Sequence, residues 1–175
     1  MQLIHCTGKL QKEMGLKKAD LCEVVPIFSY LGSWHASLMY VDRRKCILFV
    51  NDKTLFNFIA ADVSRADIRD LGVLFKSLLQ CVLSDEGLEA SAKEKIMSEY
   101  NELGYAKTQN RSVLGSMNDL VFHYKYLIQD AGGVHSHEIP GIIQKLNRMP
   151  MGALEYAYPI EALRAMYGAS TEVGR

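Results

Sequence analysis

The strongest constraint on the fold is an unbroken apolar run at residues 46–50, which lies between two clusters of turn-forming residues. Five consecutive apolar residues predict a β-strand that is covered on both faces. The charged stretch 42–45 suits a hairpin connection to a strand over 34–41, and residues 51–53 suit the turn to a third strand over 55–60. The pattern therefore predicts an antiparallel three-stranded meander with its middle strand inside.

Two further short strands are predicted outside the meander. Residues 3–6 indicate an opening strand, after which Thr7 is placed to cap a brief helix that ends near Gly15. Residues 105–108 indicate another short strand. The order in which these strands pair with the meander is left open by their spacing.

The remainder of the chain is predicted to be mainly helical. Residues 64–84 carry apolar side chains at helical spacing behind a capping-box pattern, and 88–103 form a second helix ended by the following glycine. A third helix begins near Ser112 and ends at a pair of glycines. Pro140 and Pro159 each suit the first turn of a shorter helix.

Length and composition indicate one folded domain. The 175 residues contain no internal repeat and no Pro/Ser-rich linker, so we expect a single α+β domain over 1–168 and a frayed tail over 169–175. Within this domain, we expect an N-terminal antiparallel β-meander that packs against a mainly helical C-terminal two-thirds. The absence of a leader and of a long apolar run predicts a cytoplasmic protein with no membrane contact, and the well-separated cysteines are expected to be reduced.

Charge restricts the functional classes. Twenty basic and twenty acidic residues give a formal net charge of zero, which argues against a strongly basic nucleic-acid binder. No cofactor-binding fingerprint, nucleophile elbow or metalloprotease motif is present. We therefore expect no cofactor, and any binding of anions has to be local.

Residues 107–119 are the strongest candidate for such a local site. Basic residues and hydroxyls gather where a helix is predicted to begin, and the unpaired amides and partial positive charge of a helix N-terminus attract anions. The predicted ligand-binding residues here are Lys107, Thr108, Arg111, Ser112, Ser116 and Asn118. The alternative is an ordinary strand, turn and capped helix with Arg111 in solvent.

A second basic cluster lies on the predicted hairpin. Arg43, Arg44 and Lys45 are consecutive, and basic loop residues often contact phosphates. Charged residues at such a tip also keep sheet edges from aggregating. The stretch 51–53 is interpreted as plain turn chemistry.

Histidines supply the candidates for acid–base chemistry. Strand alternation places His35 on the face opposite Trp34, as either a hydrogen-bonded buried imidazole or a general acid/base lining a pocket. His5 could pair with His35 only if their strands are neighbours. His135 and His137 have a chelating spacing but no identifiable third ligand, so no metal site is predicted.

Several segments together resemble a known family. They are Ile4-His5-Cys6-Thr7 with Lys9-Leu10, Trp34-His35-Ala36, Asp42-Arg43-Arg44-Lys45, Val50-Asn51-Asp52-Lys53, Lys107-Thr108 through Asn118-Asp119, Leu146-Asn147-Arg148 with Pro150-Met151, and Tyr158-Pro159-Ile160-Glu161-Ala162-Leu163. Their order and spacing over roughly residues 2–167 resemble a prokaryotic and phage domain family of unknown function, which occurs as small stand-alone proteins and ahead of a plasmid-associated module. Met149 stands where that family more often has Thr. The resemblance implies a cytosolic protein linked to phages or mobile elements and assigns no catalytic residue.

Three functional hypotheses follow. The first is a non-catalytic binding module for a phosphate-bearing partner, a nucleic acid or nucleotide, with Lys107, Arg111 and Ser112 on the anion and the basic hairpin extending the surface. The second is a hydrolase or transferase that uses His35 or His5 as acid/base beside the same pocket. The third is an antitoxin-like protein–protein accessory, binding through the acidic helices at 61–104 or through an apolar face with Tyr124 and Tyr126.

Overall fold

The computed structural model describes residues 1–25 and 28–168, so the predicted frayed tail at 169–175 lies outside the described residues. The strands are β1 (Gln2–Cys6), β2 (Trp34–Val41), β3 (Arg44–Asn51), β4 (Asn57–Ala60) and β5 (Leu103–Lys107). The α-helices are α1 (Gly8–Met14), α2 (Arg65–Arg69), α3 (Leu71–Asp85), α4 (Ala90–Ser98), α5 (Arg111–Asp130), α6 (Ile139–Leu146) and α7 (Pro159–Gly168). Short 3-10 turns cover Lys18–Asp20 and Gly152–Leu154.

The predicted meander forms the centre and one edge of the sheet. The sheet has five strands in the order β4-β3-β2-β1-β5, and β2, β3 and β4 pair antiparallel in sequence order. The apolar run in β3 is buried throughout, as its unbroken apolarity predicts. The α+β class with an N-terminal sheet is confirmed.

Parallel pairing of β1 extends the sheet beyond the meander. β1 lies between β2 and β5 and runs parallel to both, with His5 opposite His35 on one side and Ala106 on the other. These pairings join segments about thirty and one hundred residues apart along the chain. They make the two histidine-bearing strands neighbours, which is the condition under which the rings can meet.

The hairpin turn is tighter than the predicted connection over 42–45. Asp42 and Arg43 alone form the turn, with φ of 48° and 66°, whereas Arg44 and Lys45 are the first residues of β3. Two consecutive positive φ values are those of a type I′ turn, whose twist matches that of the flanking strands. Lys45 lies back along the strand and forms an ion pair with Glu13, 2.8 Å between Nζ and Oε2.

Two of the predicted helices have different bounds. The capping box of Ser64 with Asp67 is confirmed, but the single helix predicted over 64–84 is divided into α2 and α3 at Asp70. The helix predicted over 88–103 ends at Ser98, and Gly104 lies in β5 rather than ending a helix. A Cβ on Gly104 would lie 2.9 Å from the Cys22 sulfur, so glycine here permits close packing.

Helices cover both faces of the sheet. On one face the Trp34 ring packs edge-on against Phe75 of α3, with ring centroids 5.2 Å apart, and its indole donates to Tyr100. On the other face the Tyr124 hydroxyl of α5 donates to Asn57 of β4 at 2.7 Å. His5 and His35 share the α5 face because side chains alternate along each strand. Within the described residues, no helix is long and apolar enough to cross a membrane.

Candidate functional site

A pocket of about 390 Å³ opens on the α5 face of the sheet, where β2 begins. Its walls come from β1, the loop before β2, the β3–β4 turn and the connection between β5 and α5. The polar groups that define it are His5, His35, Asp52 and Asn110, with Lys53 at the edge. Four segments distant in sequence therefore build one polar cavity.

An aspartate orients one imidazole. His35 is almost fully buried, and its Nε2 lies 2.9 Å from Asp52 Oδ1. The hydrogen bond from His35 holds the pKa of the Asp52 carboxyl below its ordinary value, so the carboxylate is ionised and Nε2 carries the hydrogen. Asn110 donates to the same oxygen at 3.2 Å. His35 Nδ1 remains as a buried nitrogen with no hydrogen-bond partner among the described residues.

A backbone carbonyl orients the second imidazole in the opposite sense. His5 Nδ1 lies 2.8 Å from the carbonyl oxygen of Lys107. A carbonyl can only accept, so Nδ1 donates and Nε2 carries the lone pair. Burial lowers the pKa of His5, which leaves the ring uncharged at neutral pH.

The two rings are in direct contact. Their centroids are 4.9 Å apart and their planes differ by 18°, a stacked arrangement that follows from their paired positions on β1 and β2. Each ring is held by one nitrogen and leaves the other without a protein partner in the described part of the chain. The arrangement suits proton transfer, which needs an oriented imidazole with one nitrogen available.

Asn51 fixes the turn that carries Asp52. Its buried amide donates to the carbonyls of Leu31 and Ser33, at 3.0 and 3.3 Å. Its oxygen accepts from the backbone of Lys53 and Thr54 and from the Thr54 hydroxyl. One side chain thus joins the loop before β2 to the β3–β4 turn, and Asp52 is positioned by both.

Lys53 places an ammonium group at the edge of the pocket. Its Nζ donates to the carbonyls of Ser29 and Tyr30, at 2.6 and 2.9 Å. Gly32 lies beneath it with φ of 74°, and a Cβ there would approach Lys53 Cε to 3.2 Å. The glycine therefore lets the lysine stem cross the loop, where the Ser29 and Tyr30 carbonyls hold its ammonium group.

The predicted anion segment contributes its first part to this region. Lys107 supplies the carbonyl that holds His5, and its exposed side chain lines an adjoining cavity of about 420 Å³ with Lys18 and Gln109. Thr108 is half-buried in the connection that leads to Asn110. Arg111 is exposed at the first position of α5, next to Asn110 of the pocket wall.

The part of that segment inside α5, residues 112–118, lies outside the histidine pocket. Asn110 caps α5 by accepting from the amides of Ser112 and Val113, so these two donors are already engaged. Ser116 is buried and its hydroxyl donates to the Ser112 carbonyl at 3.2 Å. Asn118 is exposed farther along the helix, and neither Ser116 nor Asn118 lines the histidine pocket.

The basic hairpin lies at the other end of β2. Arg43 lines a shallow cavity of about 520 Å³ with Tyr40 and Lys125, and Arg44 Nη1 lies 3.6 Å from Asp62 Oδ1. An extended strand rises about 3.4 Å per residue, which puts the hairpin roughly 20 Å from His35. The two predicted basic clusters do not converge on one cleft.

The predicted apolar face with Tyr124 and Tyr126 does not form, and His135 lies beside an aspartate on the surface. Tyr124 is fully buried, so it cannot form an exposed apolar face with Tyr126, which is largely in solvent. His135 Nε2 lies 3.3 Å from Asp62 on the surface. Within the described ranges, no group of three metal-ligating side chains comes together.

Four residues of the site are not anticipated as functional by the sequence: Asn51, Asp52, Lys53 and Asn110. The turn residues 51–53 were assigned to the backbone alone. The register of the hairpin between β2 and β3 indicates where Asn51 and Asp52 lie, because a two-residue turn at Asp42 and Arg43 pairs Asn51 with Trp34. Asp52 then follows directly beside the strand that carries His35.

Comparison with protein-family models identifies a family. A protein-family model described as "Domain of unknown function (DUF6933)" matches residues 3–162. No functionally curated protein matches the chain. The pocket residues from all four wall segments fall inside the matched range.

Proposed function

The chain belongs to the DUF6933 family, and we propose that its pocket binds a phosphate-bearing ligand. In this proposal, His5 and His35 transfer protons to and from the bound ligand. The ligand class is a nucleotide or nucleic acid, and the reaction class is that of a hydrolase or transferase. A link to phages or other mobile elements stays a prediction, with which a nucleic-acid ligand is compatible.

The observation that carries the proposal is the opposite orientation of two stacked imidazoles. His5 donates from Nδ1 to a carbonyl, whereas His35 donates from Nε2 to the Asp52 carboxylate. A buried histidine with a purely structural role usually satisfies both ring nitrogens. Here each ring keeps one nitrogen free of protein partners among the described residues, which favours chemistry over packing.

The charges around the pocket favour an anionic ligand. Lys53 lies at its edge, and the exposed Lys107 and Arg111 flank the connection to α5. The negative charge of Asp52 is offset by hydrogen bonds from His35 and Asn110. Cations of this kind beside a pocket stabilise phosphate oxygens both in the bound ligand and during proton transfer.

A non-catalytic binding module remains the second candidate, since the same cations would hold the same ligand. The two functions share a binding test and differ in turnover. Binding to a nucleic acid through these cations should weaken as salt is added, because phosphate contacts release counterions.

The test is a titration followed by NMR of the imidazole nitrogens, using inorganic phosphate, AMP and a single-stranded RNA oligonucleotide as probes. We expect the resonances of His5 and His35 to shift with AMP or RNA, while those of the exposed His137 stay in place. The pair Lys107→Ala and Arg111→Ala should weaken binding about tenfold or more, a loss of about 1.4 kcal/mol.

The matched control is Arg43→Ala with Arg44→Ala, which also removes two exposed cations but at the far end of β2. This double variant should bind as the unmodified protein does. Histidine signals that ignore all three probes, or equal losses in the two double variants, would contradict the proposal.

A further inference from the structure

Among the described residues, the pocket contains two hydroxyls, those of Ser29 and Ser33, but neither is activated by a histidine. In the described part of the chain, neither His5 nor His35 is hydrogen-bonded to a serine, threonine or cysteine. Cys6, the neighbour of His5, has its thiol pKa raised to about 12 by burial, and its sulfur contacts the Ile4 carbonyl. A reaction at this pocket therefore needs a nucleophile from the substrate or from water.

The two ring nitrogens that have no protein partner among the described residues suit opposite tasks. His5 Nε2 has a lone pair and is ready to accept a proton. His35 Nδ1 is buried without a partner among the described residues, and an unsatisfied buried polar atom destabilises the folded protein unless a ligand atom satisfies it. When protonated, His35 can donate from Nδ1 while Asp52 stabilises the resulting imidazolium from Nε2.

Together these groups provide a proton acceptor, a proton donor and the Lys53 ammonium at the pocket edge, without an activated protein nucleophile. We infer, on the basis of the proposed function, that the substrate is RNA and that its own 2′-hydroxyl attacks the adjacent phosphodiester. RNA is the phosphate-bearing class that carries a hydroxyl beside each diester, so it requires only the groups that the pocket contains.

The step balances in atoms and protons. The 2′ oxygen bonds to phosphorus and its proton passes to His5 Nε2, while the bond from phosphorus to the 5′ oxygen breaks and that oxygen takes the proton from His35 Nδ1. The products are a 2′,3′-cyclic phosphate and a free 5′-hydroxyl. His5 then holds one proton more and His35 one fewer, and proton exchange with water restores both.

The decisive experiment varies the substrate, so that it does not depend on a variant that folds poorly. A DNA oligonucleotide containing one ribonucleotide is compared with the same oligonucleotide carrying 2′-O-methyl at that position, with EDTA present. We expect cleavage only after the ribonucleotide, with the cyclic phosphate identified by mass, and no cleavage of the methylated strand.

Variants assign the activity to the pocket. His5→Gln should lower the cleavage rate by about 10²- to 10⁴-fold, the usual contribution of a general base. His137→Gln is the matched control, because it makes the same change at an exposed histidine outside the pocket, and it should cleave at the unmodified rate. Thermal melting of each variant separates loss of chemistry from loss of folding.

The outcomes separate this inference from the proposed function. RNA that shifts both histidine resonances but is not cut overturns the RNA-cleavage inference and leaves a phosphate-binding pocket. If RNA, AMP and phosphate all leave the resonances of His5 and His35 unchanged, the RNA-cleavage inference and the proposed function are both overturned. Cleavage of the methylated strand, or full activity in a folded His5→Gln protein, overturns the assignment of nucleophile or base.

Discussion

The two ends of β2 differ in how their polar residues are held. At the start of the strand, His35 is almost fully buried, and Asp52 and Asn51 position it and the adjoining turn. At the far end, Arg43 and Arg44 are exposed, and Arg44 contacts Asp62 at 3.6 Å across the surface. One end is a preorganised cavity and the other is a solvated turn.

The difference between the two ends of β2 shows that a high density of charged residues does not mark the site in this protein. An exposed ion pair contributes about 0–1 kcal/mol, because water screens it and side-chain entropy opposes it. A buried imidazole in a defined tautomer needs a fixed hydrogen-bond partner for one ring nitrogen and close packing around the ring. These requirements are met only where several segments meet, which is the start of β2.

The largest expected difference between the two ends is in stability. Asn51→Ala removes two donated and three accepted hydrogen bonds from a fully buried side chain. We expect the free energy of unfolding to fall by about 3 kcal/mol, since buried backbone groups lose their partners. Chemical denaturation measures the change.

Arg44→Ala is the control at the other end of β2, and it should change the free energy of unfolding by less than about 0.5 kcal/mol. Equal losses in the two variants would remove the distinction between a built pocket and a solvated turn.

A pH dependence of intermediate size is expected from His5. Burial lowers its folded-state pKa below the ordinary 6.5, with His35 and Asp52 as the charged groups that face it. The unfolded chain therefore takes up this proton first as pH falls, and stability declines from about pH 6.5 down to the folded pKa.

Denaturation midpoints between pH 5 and pH 7.5 measure this slope. His5→Gln should flatten it, whereas His137→Gln should keep it. The lowered pKa of Asp52 affects stability only at more acidic pH. Its stabilising contribution is lost as the pH falls from the ordinary pKa of 3.8 to the lower pKa of the folded state. An unchanged slope in His5→Gln would contradict the assignment.

The smallest expected effect concerns the hairpin turn. Arg43 has a φ of 66° at the second turn position, where glycine is the residue that type I′ turns favour. Arg43→Gly should raise the free energy of unfolding by about 0.5 kcal/mol, because a Cβ is strained at this φ. Thermal melting measures the gain, and AMP binding should not change. A loss of stability or of AMP binding would show that the Arg43 side chain has a role that the turn geometry does not require.

Local patterns were sufficient for most elements of the fold. The apolar run, the Ser64 capping box and the helix-starting signals before α5 place elements within a few residues of their observed bounds. They failed where a distant contact decides the outcome, as at Gly104, which packs against Cys22 in β5 instead of ending a helix. For the site, His5, His35 and Lys107 are among the sequence candidates, while Asn51, Asp52, Lys53 and Asn110 are not.

By itself, the sequence determined the antiparallel meander, the helical remainder and the face of β2 on which His35 lies, because hydrophobic periodicity and turn chemistry act over a few residues. The tertiary structure alone decided that β1 pairs in parallel with β2 and β5. That pairing stacks the two rings and brings the Lys107 carbonyl to His5. Parallel pairing joins segments distant along the chain, and its free energy comes from packing across the whole sheet, which no short stretch of residues encodes.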